Sequence, residues 1–351
     1  MAGAKGYSSY RGRGPKWKIL LAIVLVAVIA AAVSVIYLGE HIVYSSDGRR
    51  QIVLPWQREE GNSPSAGNQE DQPDVDIQVQ EPEAPEPVET VAFSLPAQAL
   101  TDAVWQSAVK PAAANGVAVR LKTSNGTVYF NSDSAVSGAV ETELDTASVL
   151  ASITGQEGLH TIAGIACLQD FKAANADVEG RGLKNTGGYI FYDGNNNLWL
   201  DPAKPSTREY VCALAKEIAE LGFDELLLTD FSYPTEGKIN KINYNTDVPL
   251  ANNLDLLLSD LRTALEPYDI LLSVEVPEAV IAEGPDTVAG LDLNRLAVRV
   301  DRIYAVTTPE KVETLAGLVA QAAGADGKTE FVPELAADSP AVTGSRLLLA
   351  E

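Results

Sequence analysis

Four carboxylates in this sequence stand where an apolar run ends: Asp170 after "TIAGIACLQ", Asp230 after "ELLLT", Glu275 after "ILLSV" and Glu334 after "EFVP". Two carboxylates held at one opening can divide acid–base work. Burial and neighbouring charge shift their pKa values apart, so one stays protonated while the other ionises. Each has a plainer role beside this one. Asp170 precedes "FKAANA" and suits a helix N-cap. Glu275 reads equally as a loop-facing charge, and Glu334, following Pro333, as a charge exposed on a rim. Side chains alternate along a strand. If Thr229 points inward, Asp230 therefore faces away; if the strand ends at Leu228, the turn re-aims Asp230. Arg120 sits inside the apolar "GVAVRLK". Arg is rarely buried unpaired, so it needs a carboxylate partner or a place at a rim. Such a cation lowers the pKa of nearby acids and works against a general acid.

Positioning these groups falls to apolar runs at 91–95, 117–121, 161–168, 225–229, 270–276, 302–306, 330–332 and 346–349. Short runs without alternation suit strands buried on both faces. Between them lie helical patterns at 97–114, 207–221, 254–265, 292–300 and 309–323. In the second, Val211, Leu214, Ala215, Ile218 and Leu221 keep helical spacing, and Gly222 follows as a C-terminal stop. Strands alternating with helices imply a parallel sheet. About 260 residues from position 90 match the ~250 typical of a (β/α)8 barrel. No glycine-rich phosphate loop follows the first strand, which counts against an open doubly wound sheet. The fold expected is an α/β, TIM-like (β/α)8 barrel over 90–351, with its site at the C-terminal ends of the strands. "SNGT" at 124–127 reads as a tight turn in an excursion from the second strand. Asp224 and Glu225, at the other end of the fourth strand, read as stability residues of the bottom face.

The N-terminal quarter differs. Residues 19–38, "ILLAIVLVAVIAAAVSVIYL", carry no charge and are long enough to span a bilayer. Lys5, Arg11, Arg13, Lys16 and Lys18 precede them, while only Arg49 and Arg50 follow closely. The expected order is a cytoplasmic basic tail at 1–18, a transmembrane helix at 19–38 and an extracytoplasmic barrel, a cell-membrane protein of single-pass topology. A cleaved signal peptide is the alternative. Residues 39–89 include "QEPEAPEPVE", too acidic and proline-rich to bury a core, and read as a disordered linker. Little sequence remains after the last strand candidate, so residues 74–89 or a second subunit are expected to cover the edge there. The net charge of −22 argues against a nucleic-acid partner. Two His and two Cys argue against a His-dependent triad, a zinc site or a disulfide framework, and no metal or organic cofactor is expected. Cys167 and Cys212 read as neighbouring free thiols.

"LWLDPAKPSTREYVCALAKEIAELGFDELLLTDFSYPTEGKI" contains, in order, Trp199, Asp201, Pro202, Tyr210, Glu217, Gly222, Phe223, Asp224, Glu225, Tyr233, Pro234 and Gly237. This ordered set resembles a family of bacterial glycosyl hydrolase domains with a TIM-barrel fold, over essentially all of 88–351. The resemblance implies a hydrolase of O-glycosyl bonds in which two carboxylates flank the scissile bond. It keeps Asp170 at the family position after the third strand and matches the family's fifth-strand Asp with Glu275. It also carries departures: Arg120, Gly164, Thr229 and Ser232 stand where the family has Asp, Arg, Asp and Arg. The catalytic candidates are thus Asp230, Glu275 and Asp170, and the substrate-binding candidates Trp199, Tyr233, Arg120 and Glu334. Trp199, Tyr192, Phe231 and Tyr233 suit either a sugar-stacking platform or packing anchors. The partner implied is a cell-envelope polysaccharide. The departures support an alternative, a catalytically degenerate barrel that binds carbohydrate or serves as an envelope scaffold.

Overall fold

A computed structural model describes residues 89–110, 112–244, 247–325 and 327–350, and the backbone of 42–44 and 50–52. The last two segments pair as a short antiparallel ribbon in an N-terminal unit spanning Met1–Pro82. The proposed span at 19–38 and the segment 74–88 lie outside the described residues. Among the described residues, no helix is long and apolar enough to cross a membrane.

The second unit is a closed barrel of eight parallel strands: β1 Val91–Pro96, β2 Gly116–Lys122, β3 His160–Ala166, β4 Glu225–Thr229, β5 Leu271–Glu275, β6 Arg302–Val306, β7 Glu330–Ala336 and β8 Arg346–Leu349. They pair in chain order, and β8 closes on β1 through Leu347 opposite Ala92. Ala92, Ala118, Ile162, Leu227, Tyr304, Val332 and Leu347 fill the interior. Register and alternation then put Arg120, Gly164, Thr229, Glu275 and Glu334 on that inner face, toward the C-terminal mouth.

A larger apolar layer joins the outer strand faces to the helices α1 Asp102–Val109, α2 Thr146–Thr154, α3 Phe171–Ala176, α4 Pro205–Glu220, α5 Leu250–Leu265, α6 Glu278–Ala282, α7 Leu293–Leu296 and α8 Val312–Ala323. α5 alone buries Leu254, Leu257, Leu258, Leu261 and Leu265, each worth about 1.5–3 kcal/mol of transfer free energy. The pattern at 97–114 resolves into a 3-10 turn and α1, because Leu100 and Thr101 are extended and Thr101 caps Val104. The pattern at 292–300 shortens to α7, capped by Asp292. The turn at 124–127 forms as expected. Gly126 has φ +86°, and a Cβ there would meet Asp170 Oδ1 at 2.2 Å.

Candidate active site

Asp230 escapes the choice that alternation imposes. Thr229 ends β4 facing inward, and Asp230 then takes φ +49°, a left-handed conformation uncommon outside glycine. The turn brings Asp230 back into the mouth. There it lines a cleft of about 230 Å³ with Phe231, Ser232, Glu275, Leu291 and Val306. Asp230 and Glu275, separated by 45 positions, thus share one opening. Strained backbone of this kind concentrates at functional sites.

Glu334 corrects the sequence expectation. It is 4% exposed rather than on the rim. Val332 fills the barrel interior, and two residues further along the strand the side chain returns to the same face. Its Oε1 has no hydrogen-bond partner among the described residues, and neither has Thr229 Oγ1. Arg120 lies within electrostatic reach of Asp230, Glu275 and Glu334. It is exposed and makes no ion pair among the described residues.

Burial dominates the electrostatics of the mouth. It raises the Asp230 carboxyl above its ordinary range against the lowering pull of Arg120 and Lys122. It raises Glu275, where Arg120 lowers and the Asp230 charge raises further. Glu334 is pushed up to about 8, first by burial and then by Glu275, with Arg120 opposing. The cation expected to spoil a general acid is therefore outweighed. Asp230 has two cations near it, and Glu275 has Asp230. Both carboxyls are thus raised, with Lys122 lowering Asp230 alone and the Asp230 charge raising Glu275 further.

The structure does not bring Asp170, Trp199 or Tyr233 to this opening. Asp170 is fully buried. Its Oδ1 accepts from Ala173 N at 2.8 Å, capping α3, and its Oδ2 pairs with Lys122 Nζ at 2.9 Å. A register shift between Arg120 and Lys122 separates the exposed guanidinium from the buried ammonium. Trp199 is 8% exposed and donates to Asp193 Oδ2 at 3.0 Å. Tyr233 is 1% exposed, accepts from Asn253 Nδ2 and meets Tyr244 edge-on. Phe231 is buried as well, so of the four aromatics only Tyr192 reaches solvent. Cys167 and Cys212 are free, and burial pushes the Cys167 thiol up to about 12. Among the described residues, no group of His, Cys, Asp and Glu is arranged to hold a metal ion.

Residues 95–318, more than half of the chain, match the family described as "Putative glycosyl hydrolase domain". The chain belongs to that family. Among curated proteins, none matches. Solved structures that match the chain include a hypothetical protein from Ruminiclostridium thermocellum, 23% identical, with a TM-score of 0.44 over 52% of this chain and 96% of that one. The PgaB (BpsB) glycoside hydrolase domain from Bordetella bronchiseptica is 14% identical, with a TM-score of 0.49 over 71% of this chain and 84% of that one. A Group IV chitinase from Ostrinia furnacalis is 15% identical, with a TM-score of 0.43 over 70% and 66%. Within this glycosyl hydrolase-like domain, Arg120, Gly164 and Thr229, which the resemblance marks as departures, all fall on the inner face, and Ser232 lines the cleft.

Proposed function

We propose that this glycosyl hydrolase-like domain cleaves the glycosidic bonds of a cell-envelope polysaccharide outside the membrane, anchored by residues 19–38. One observation carries the catalytic part: Asp230 and Glu275 open into one cleft, where Lys122 lowers Asp230 alone and the Asp230 charge raises Glu275. Glu275 donates its proton to the glycosidic oxygen as the bond from that oxygen to the anomeric carbon breaks. The Asp230 carboxylate stabilises the positive charge developing on that carbon. Water completes the hydrolysis, and its proton restores the acid. The charge-free run with its basic N-terminal flank and the acidic, proline-rich segment support the anchored, extracytoplasmic placement.

Arg120 favours a second reading, a barrel that holds a glycan without cleaving it. Its guanidinium, without an ion pair among the described residues, lies within electrostatic reach of the carboxylates at a position where the resemblance expects Asp. The experiment that separates the two uses the full chain and its Glu275→Gln variant. Reducing-end release is followed on chitin, cellulose and peptidoglycan glycan strands. The variant should lose most of the activity while its melting temperature is no lower than the parent's. A rate in Glu275→Gln equal to the parent's removes Glu275 from the chemistry.

A further inference from the structure

A second cavity, of about 420 Å³, lies beside the cleft and shares one wall with it: Leu291 lines both. Its other walls include Tyr244, Leu250, Asp286 and Arg295. These residues come from the segment between β4 and α5 and from the segment between β5 and the end of α7. Both segments leave the C-terminal ends of their strands, so the cavity is on the face that carries the carboxylates.

The shared wall is braced. Leu291 and Asp286 exchange two backbone hydrogen bonds of 2.9 Å, and Tyr233 N donates to Ala289 O at 2.8 Å. Gly290 has φ +76°, and a Cβ there would lie 3.1 Å from Leu250 Cβ and 3.2 Å from Tyr233 Cδ2. The loop therefore rests directly on Tyr233 and on the start of α5. Tyr244 is half-buried and held edge-on to Tyr233, with centroids 5.5 Å apart and planes at 75°. Arg295 is exposed, with Asp292 at 3.6 Å. An aromatic ring, apolar walls and a few polar groups of both signs match a pyranose, which presents an apolar ring face and equatorial hydroxyls.

We infer that this cavity is a subsite for sugar units beyond the cleavage point, the continuation of the glycan whose reacting bond lies between Asp230 and Glu275. The inference rests on the glycan-cleaving reading of the cleft. The occupant follows from adjacency: Leu291 borders both cavities, so a glycan held in the cleft can extend past it into this one. A disaccharide is too short to fill both, and a longer oligomer fills both.

The test uses chito- and cello-oligosaccharides of two to six units. Titration calorimetry measures their binding to the full chain carrying Glu275→Gln, and hydrolysis is followed on the parent. Affinity should rise about tenfold from the shortest to the longest oligomer of the series that binds. Tyr244→Ala and Arg295→Ala should each remove most of that rise and leave the shortest oligomer unaffected. Arg295 is a surface residue, so its variant remains informative if Tyr244→Ala unfolds. Hydrolysis without dependence on chain length, or variants that keep the rise, overturn the subsite and leave the proposed reaction standing. A length-dependent affinity lost in the variants, without hydrolysis by the parent, keeps the subsite and removes the reaction. No binding by any member of either series overturns the subsite as well.

Discussion

Glu334→Gln should make this protein more stable at neutral pH while costing it function. The carboxyl is almost fully buried, its Oε1 has no partner among the described residues, and its pKa is raised from 4.5 to about 8. In the unfolded chain the same group ionises near 4.5. Between these values the folded state binds a proton that the unfolded state has released, so stability falls as pH rises. The contribution is fully present below pH 4.5, declines from there, and is lost once pH passes about 8. From pH 4.5 to 7 the interval is 2.5 units, at ~1.4 kcal/mol each, or ~3 kcal/mol. Glutamine fills the same space without that titration. Its advantage over glutamate should therefore be near zero at pH 4 and grow to about 3 kcal/mol at pH 7. For a domain of this size that corresponds to roughly 6–12 °C in melting temperature. Thermal unfolding of parent and variant at pH 4, 5.5 and 7, followed by tryptophan fluorescence, reads it directly. A difference that stays flat with pH refutes the reasoning, because Glu334 would then be ionised in the fold and hold a partner for its second oxygen.

Two other perturbations separate scaffold from site. Lys122→Met leaves Asp170 buried without its cation, and should cost about 3–5 kcal/mol; urea unfolding checks it, and a loss under ~1 kcal/mol would return Asp170 to the list of reactive groups. Arg120→Met removes a positive charge that lowers Asp230, Glu275 and Glu334; all three should titrate at higher pH, moving the acidic limb of the pH–rate profile upward, and by the same linkage the variant should lose melting temperature at pH 7 but not at pH 4.

All eight strands lie where apolar runs predict them, because a strand buried on both faces has to be apolar throughout. The same property hides which side chains point inward. In "ELLLT" the three central positions are all leucine, so no alternation distinguishes Leu227, inside the barrel, from Leu226 and Leu228, outside it. Asp230 depends on a single left-handed residue, and nothing in "TDFS" marks that turn as a glycine would. Glu334 is legible once alternation is followed along its strand. Once Val332 is taken as inward, Glu334 must be inward too, and Pro333 alone suggested a rim. Trp199 and Tyr233 belong to the ordered motif that carries the resemblance, yet their buried polar contacts with Asp193 and Asn253 show them holding loops rather than facing a ligand. The bond between Lys122 and Asp170 joins positions 48 residues apart and needs a register shift to form, which no local pattern announces.

Two glutamates inside the same barrel show how the fold divides its labour. Glu225, at the N-terminal floor, is as buried as any residue in the chain. Its Oε1 accepts from Ser273 Oγ at 2.5 Å and Tyr304 OH at 2.7 Å, while its Oε2 meets His160 Nε2 and Arg302 Nη1, each at 2.8 Å. Burial works to raise its pKa, but His160, Arg302 and Ser273 outweigh it, and the carboxyl is held below its ordinary range. Glu334, two layers toward the mouth, has the same burial and an oxygen without a partner, and its pKa moves the other way. Desolvation is similar at the two positions, so the difference is the supply of donors. The floor network also ties β3, β4, β5 and β6 together, and in register Tyr304 stands beside Glu275 on the neighbouring strand. A satisfied, ionised floor thereby fixes the strands whose other ends hold Asp230 and Glu275. The mouth is left short of donors, and a group that supplies them, such as the hydroxyls of a sugar, gains more there than at any saturated position in the barrel.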